Sequence, residues 1–465
     1  MRILMVTAEF APLAKVGGLA DMVAGLSGWL AEQGHEVRVV MPAYGVTEPP
    51  ASTALDTASG PVHLHPVNLD EAPPGLEVLQ WIAPEQFGMP QVYLGDSRDA
   101  ERFALLGQIA LAHTYADGFH PEIIHAHDWH AAAVVALPSP WERSPPTLLT
   151  LHNIGYQGVF ALDAVPDGRL RDALRDPTVD EPRLNFLAAG IARARALTTV
   201  SPTHAAEILT PEYGAGLDGL LRERAHRLHG ILNGADYGLW SPAHDPLIEH
   251  AYTADSPHGK AHNRAALLET LGLVVDDSVP IVGMITRLTS QKGIDLLVEA
   301  LPGLVTAHEF ALVILGMGEP QYVEALQELA DVYPGSVTLL EAHDERLAHR
   351  LLAGSDMLLI PSRYEPCGLT QLYAMRYGTI PIVRATGGLA DSVQHFDPAS
   401  GAGTGVVFRD YDIGGISWGL AQALAWFGEP GLWQRLVMNA MRSDFSWDRQ
   451  APHYEALYRQ LAGLP

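Results

Sequence analysis

The sequence predicts an α/β protein made of two doubly wound, Rossmann-like halves, and three observations carry that prediction. Apolar runs of four to eight residues alternate with longer amphipathic stretches, the alternation restarts midway, and a proline-rich polar segment separates the two series. In chain order, the first series of candidate strands is Ile3 to Thr7, Glu36 to Met41, Ile123 to His125, Thr147 to Leu151 and Leu197 to Val200. The second series is Ile281 to Ile285, Ala311 to Leu315, Val337 to Leu340, Met357 to Ile360 and Ile380 to Val383. Short continuous apolar runs set between helices are the pattern of parallel strands covered on both faces. The break falls at Trp240 to His262, whose Pro-rich stretches (Trp240 to Pro246 and Ser256 to Gly259) read as an inter-domain connection. The expected units are 1–240 and 241–445, with Glu48 to Gly60 as a surface loop. The tail 446–465 carries Trp447, Tyr454 and Tyr458 at helical spacing.

Bulk composition narrows the function. A chain of 465 residues is too long for one ordinary core, and 48% hydrophobic against 18% charged residues excludes a disordered one. The formal net charge of −25 argues against nucleic acid or an anionic membrane as partner. It leaves room for a small anionic ligand, because a local Lys/Arg cluster dominates within about 8–10 Å at physiological salt. A neutral polymer is indifferent to the charge. The single cysteine, Cys367, permits no intrachain disulfide and suits a reducing cytoplasm. The segment Met1 to Val6 reads as a buried strand rather than as a leader, and no run is long and apolar enough to predict a membrane span.

Five segments carry chemistry. Lys15-Val16-Gly17-Gly18-Leu19 joins a cation to a glycine turn, which is either an anion site at a helix start or simply a tight strand-to-helix turn. Gly17-Gly18-Leu19-Ala20-Asp21 recurs as Gly387-Gly388-Leu389-Ala390-Asp391, one copy in each half. Thr286 to Gly293 follows a candidate strand, so Arg287 and Lys292 stand at a carboxyl strand end, where they could hold a diphosphate or merely line a solvated basic loop. Pro361 to Thr370 places Glu365 on another such turn, with the amides of Gly368 and Leu369 opening a helix; Cys367 has no base nearby in sequence and reads as a small buried hydrophobe. His152 and Asn153, at the end of Thr147 to Leu151, are either ligand contacts or a turn stabilised by Asn and Gly. His125-Ala126-His127-Asp128-Trp129-His130 suggests a metal site, but its spacing fits no binuclear pattern; a strand end presenting Asp128 and Trp129 is preferred.

Taken together, these segments resemble the bacterial glycogen synthase and plant starch synthase family over essentially the whole chain. The motifs are Lys15 to Asp21, His152-Asn153 with Tyr156-Gln157-Gly158, and Asn233-Gly234 with Asp236. Further on come Arg287-Leu288 with Lys292-Gly293, Glu365 to Gln371, and Thr386 to Leu389. The resemblance implies a GT-B glycosyltransferase fold, two Rossmann-like domains facing across a cleft, with the glucan acceptor on the first domain, the nucleotide-sugar donor on the second, and 446–465 crossing back to the first. The implied reaction is retaining transfer of glucose from ADP-glucose to the non-reducing 4-hydroxyl of an α-1,4-glucan, in the cytoplasm, with no metal or other cofactor.

By the same resemblance, Lys15 and the Gly17 and Gly18 amides meet the donor phosphate, Asp21 belongs to that substrate-binding turn, and Arg287 and Lys292 hold the diphosphate. Glu365 bonds the transferred glucose beside the amides of Cys367, Gly368 and Leu369, and Thr370 contacts phosphate or ribose. His152 lies near the anomeric carbon and the glucose 6-hydroxyl, Asp128 and Asn153 on the acceptor or glucose face, and Gly387 and Gly388 line the sugar pocket. Fixed cations stabilise the leaving diphosphate, and the lack of an obvious second carboxylate favours same-face attack within an ion pair. Two departures stand out: Ala342 precedes His343-Asp344 where relatives often carry an aromatic against the base, and Ala235 follows Asn233-Gly234. The rivals are UDP-glucose as donor, a related two-domain transferase with a small acceptor, and a glucan-binding protein without turnover.

Overall fold

The computed structural model of the protein describes residues 1–48, 54–57, 60–70 and 72–464. The chain divides into two compact units, Met1–Gly234 together with Trp447–Pro465, and Ala235–Ser446. The division falls six residues before the expected position at 240 because Trp240 stacks on His349 and Tyr373, inside the second core.

The first unit holds β1 (Arg2–Val6), β2 (Glu36–Pro42), β3 (Ala54–Thr57), β4 (Gly60–Val67), β5 (Leu76–Ile82), β6 (Ile123–His127), β7 (Thr147–Leu151), β8 (Val159–Ala161), β9 (Arg183–Asn185), β10 (Ala196–Thr199) and β11 (Leu228–Gly230). Among the described residues, one sheet runs β11-β10-β7-β6-β1-β2-β5-β4-β3, and β8 pairs with β9 apart from it. Its strands are parallel except at the β5-β4-β3 edge, where pairing is antiparallel. Successive side chains of a strand face opposite ways, so Leu4 and Val6 enter one core and Ile3 and Met5 the other. The expected loop Glu48 to Gly60 is corrected in part: 54–57 form β3, while 49–53 and 58–59 lie outside the described residues. Strand β6 runs two residues past its apolar run, with the fully buried His125 bonded to Tyr458 and Thr150 and the fully buried His127 bonded to His152.

Two helices of this unit matter below, α1 (Gly18–Glu32) and α2 (Asp128–Ala136). The C-terminal helix Trp447–Ala462 packs on α1. Gly25 permits this close approach, since a Cβ there would lie 1.9 Å from the Trp447 ring. Trp29 donates Nε1–H to Asp448 at 2.9 Å, and Tyr458 reaches His125 at 2.7 Å.

The second unit is a six-stranded parallel sheet of β12 (Ile281–Ile285), β13 (Ala311–Leu315), β14 (Val337–Leu340), β15 (Met357–Ile360), β16 (Ile380–Arg384) and β17 (Val406–Phe408). Its order is β14-β13-β12-β15-β16-β17. Two short helices, α3 (Thr370–Arg376) and α4 (Gly387–Ser392), follow β15 and β16. Among the described residues no helix is long and apolar enough to cross a membrane.

Candidate functional site

Each sheet reverses its winding once, between β1 and β6 in the first unit and between β12 and β15 in the second. Open α/β sheets bind ligands at the carboxyl end of such a switch point, because the loops there diverge and leave a crevice. The candidate site residues follow β1, β6 and β7 in the first unit and β12, β15 and β16 in the second. The candidates therefore form two constellations, one in each unit.

In the first unit, β1 is followed by Glu9, which the sequence reading missed. Its carboxylate, 4% exposed, accepts the amide hydrogens of Val16 at 2.7 Å and Gly17 at 3.0 Å, and the hydroxyl of Tyr93. Burial raises the Glu9 pKa, and these three donors oppose that rise. Glu9 thus acts as an internal anion at the start of α1. The Gly17 amide, expected to meet a donor phosphate, bonds Glu9 in this structure. A carboxylate directly after the first parallel strand was the available signal. Lys15 pairs with Asp21 at 2.8 Å, with both side chains partly exposed. Such a pair is worth only about 0–1 kcal/mol, so a ligand can compete for the lysine.

Asp128 directly follows β6 and opens α2 with φ 57°, a left-handed conformation uncommon outside glycine and tolerated best by Asp and Asn. Its Oδ1 accepts the amide hydrogens of His152 at 2.7 Å and Asn153 at 3.4 Å, which ties the turn after β7 to the end of β6. Burial pushes its carboxyl up to about 7, against the pull of those two amides. Asn153 in turn accepts from Gly155 at 3.0 Å.

The histidines around this turn form one cluster. His152 Nε2 lies 3.1 Å from His127 Nδ1, and the His127 and His125 ring centroids are 4.0 Å apart. His125 reaches Thr150 at 2.6 Å and Tyr458 at 2.7 Å, while His130 stacks on Tyr93. Desolvation holds His125, His127 and His130 well below the ordinary histidine range, and His152 at about 3. All four are therefore neutral imidazoles at pH 7.

In the second unit, the loop after β12 carries Arg287 and Lys292, and the loop after β15 carries Glu365. Lys292 Nζ donates to Glu365 Oε2 at 2.5 Å, and Ser362 donates to the same oxygen at 3.0 Å. Arg287 donates to Gln291 at 3.3 Å. The backbone amide of Arg363 bonds Gln291 O at 2.9 Å, which joins the two loops. Gly388 donates its amide to Glu365 O at 3.0 Å. The Gln371 side chain donates to the carbonyls of Cys367 at 3.1 Å and Gly368 at 2.9 Å. Cys367 is a buried free cysteine, consistent with its packing reading. Leu369 and Thr370 stand at the start of α3. Lys292, Glu365, Gly387 and Gly388 are thus brought together, as are Asp128, His152 and Asn153, and Lys15 with Asp21.

This arrangement offers two kinds of chemistry. The second unit presents a cation paired to a carboxylate at a switch point, able to exchange partners with a phosphate and with sugar hydroxyls. The first presents a neutral histidine and a carboxylate titrating near neutrality.

Comparisons with known proteins identify a family. Residues 2–223 match the family described as starch synthase catalytic domain, and residues 273–426 match glycosyl transferases group 1. The chain is 44% identical to a glycogen synthase of Anaeromyxobacter sp. (strain Fw109-5), over 99% of this chain and 100% of that protein. It is 40% identical to glycogen synthase 2 of Nitrosococcus oceani, over 99% and 97% of the two chains. Among solved structures, the catalytic domain of starch synthase IV from Arabidopsis thaliana, bound to ADP and acarbose, superposes with a TM-score of 0.89 at 34% identity, covering 99% of each chain. A sucrose-phosphate synthase from Thermosynechococcus elongatus, at 21% identity and a TM-score of 0.63, shares the fold.

Proposed function

The chain belongs to the bacterial glycogen synthase and starch synthase family of glycosyltransferases, transferring glucose from a nucleotide sugar to a glucan, and on that premise we propose that its donor is ADP-glucose and that transfer to the non-reducing 4-hydroxyl of an α-1,4-glucan retains configuration. The observation that carries the proposal is the Lys292–Glu365 pair at the second unit's switch point. A diphosphate entering there exchanges for the carboxylate at Lys292. Glu365 is then free to accept hydrogen bonds from glucose hydroxyls, and Ser362 keeps it oriented.

As the glycosidic bond breaks, negative charge grows on the departing phosphate, and Arg287 and Lys292 meet it with fixed positive charge. The reading calls for no metal, since side-chain cations supply the neutralisation. The neutral His152 donates or accepts a hydrogen bond at the reacting sugar, and Asp128 holds its turn in place. ADP is favoured over UDP because the Arabidopsis starch synthase of the same fold is bound to ADP.

Incubation with glycogen and labelled ADP-glucose or UDP-glucose tests the proposal. Incorporation into polymer from ADP-glucose is expected, with the new linkages cleaved by an α-1,4-specific hydrolase. Preference for UDP-glucose overturns the donor assignment, and transfer to small acceptors without elongation supports the rival transferase.

A further inference from the structure

We infer that His127 is a positioning residue that sets the tautomer of His152, so that His152 presents its Nδ1–H to the substrate as a hydrogen-bond donor. The inference rests on the reading above that His152 acts at the reacting sugar. His152 Nε2 is 3.1 Å from His127 Nδ1, so exactly one of these two nitrogens carries the shared proton. Among the described residues, Nδ1 of His152 has no hydrogen-bond partner, and His127 Nε2 is buried without one. His127 is 0% exposed, whereas His152 is partly exposed.

Two arrangements are chemically possible. In the first, His127 donates its Nδ1–H to His152 Nε2. The buried Nε2 of His127 is then only a lone pair, and His152 carries its proton on Nδ1. In the second, His152 donates from Nε2, and His127 must carry its proton on Nε2, where a buried N–H finds no acceptor. Orphaned buried N–H groups are the rarer and costlier of the two failures, so the first arrangement prevails.

Rotation of the His127 ring offers no escape, because exchanging Nδ1 for Cδ2 removes the bond to His152 altogether. The neighbouring His125 ring, held by Tyr458 and Thr150, packs against His127 and keeps it in place. Burial keeps the His127 and His152 imidazoles neutral, which makes the tautomer the only freedom left.

The same geometry gives a discriminating pair of substitutions. In His127→Asn the amide nitrogen falls near the position of Nδ1 and can still donate to His152. In His127→Gln the amide falls near Nε2 and cannot. With ADP-glucose and glycogen, H127N is expected to stay within about threefold of wild-type kcat, while H127Q falls by about tenfold or more with both KM values little changed. Ring 15N spectra of histidine-labelled protein at neutral pH, with the His152 signals identified by their loss in His152→Ala, read the tautomer directly. A protonated Nδ1 on wild-type His152 is the expected result. A protonated Nε2, or equal kcat for H127N and H127Q, overturns the inference. Wild-type activity in His152→Ala overturns instead the assignment of His152 to the reaction, while the spectrum still decides the tautomer. Should H127Q fail to fold, the wild-type spectrum and H127N carry the test.

Discussion

The pentapeptide Gly-Gly-Leu-Ala-Asp occurs at 17–21 and again at 387–391, each time opening a helix after a strand, yet the two copies do different work. In the first unit, Gly17 is exposed, has φ −152°, and a Cβ added there would meet nothing within 4 Å. What matters at that copy is polar: the Gly17 amide binds Glu9, and Asp21 holds Lys15. In the second unit, Gly387 is buried with φ 44°, and a Cβ would lie 1.9 Å from Glu365 O; one on Gly388 would lie 2.1 Å from Cys367 O. There the glycines are steric, letting the α4 turn press against the loop that aims Glu365 at Lys292. One sequence thus serves as an electrostatic device in one unit and as a spacer in the other, and the surrounding loops decide which.

Substitutions can break this contrast. The largest effect is expected from Gly387→Ala, where backbone must move and a left-handed φ is imposed on a residue with a Cβ: a loss of about 3 kcal/mol or more by urea unfolding, with kcat reduced in parallel. Gly17→Ala should cost less than about 1 kcal/mol, and equal costs at the two sites would abolish the distinction. Lys292→Ala sharpens the second copy's role: kcat falls by roughly 100-fold or more while the melting temperature moves by a few degrees at most. Glu9→Ala tests the first copy, since it leaves the Val16 and Gly17 amides and the Tyr93 hydroxyl without their acceptor; about 1–3 kcal/mol of stability should go.

The smallest effect concerns pH. Asp128, raised to about 7 in the fold from an ordinary carboxylate value, contributes stability that is present at low pH and is lost as pH rises through about 7. Asp128→Asn removes this titration, so the variant's melting temperature should gain on the wild type between about pH 4 and 7 and hold a constant difference above that. A constant difference across the lower range as well would show that Asp128 is ionised throughout.

The parallel strands were legible because burial on both faces leaves uninterrupted apolar runs such as Ala311–Leu315. Strand β5, Leu76–Ile82, was not, since Glu77 and Gln80 interrupt its apolar run, and β3 hid in a polar stretch where only pairing with β4 defines it. The cations and Glu365 could be picked out because charge after a strand is conspicuous in this chain. Glu9, Tyr93 and His127 could not, because their roles depend on partners 7 to 84 residues away that only folding brings near. The partners of the histidine run 125–130 were hidden for the same reason: alternation along β6 sends His125 and His127 to one buried face, where each finds a side-chain partner.

The central claim is that Lys292, held ready by Glu365, neutralises the nucleotide diphosphate. Calorimetric titration of ADP into the wild type and Lys292→Ala tests it most directly. The account predicts that ADP binds the variant about tenfold or more weakly, with a reduced dependence on salt. Equal affinity in the two proteins would contradict it.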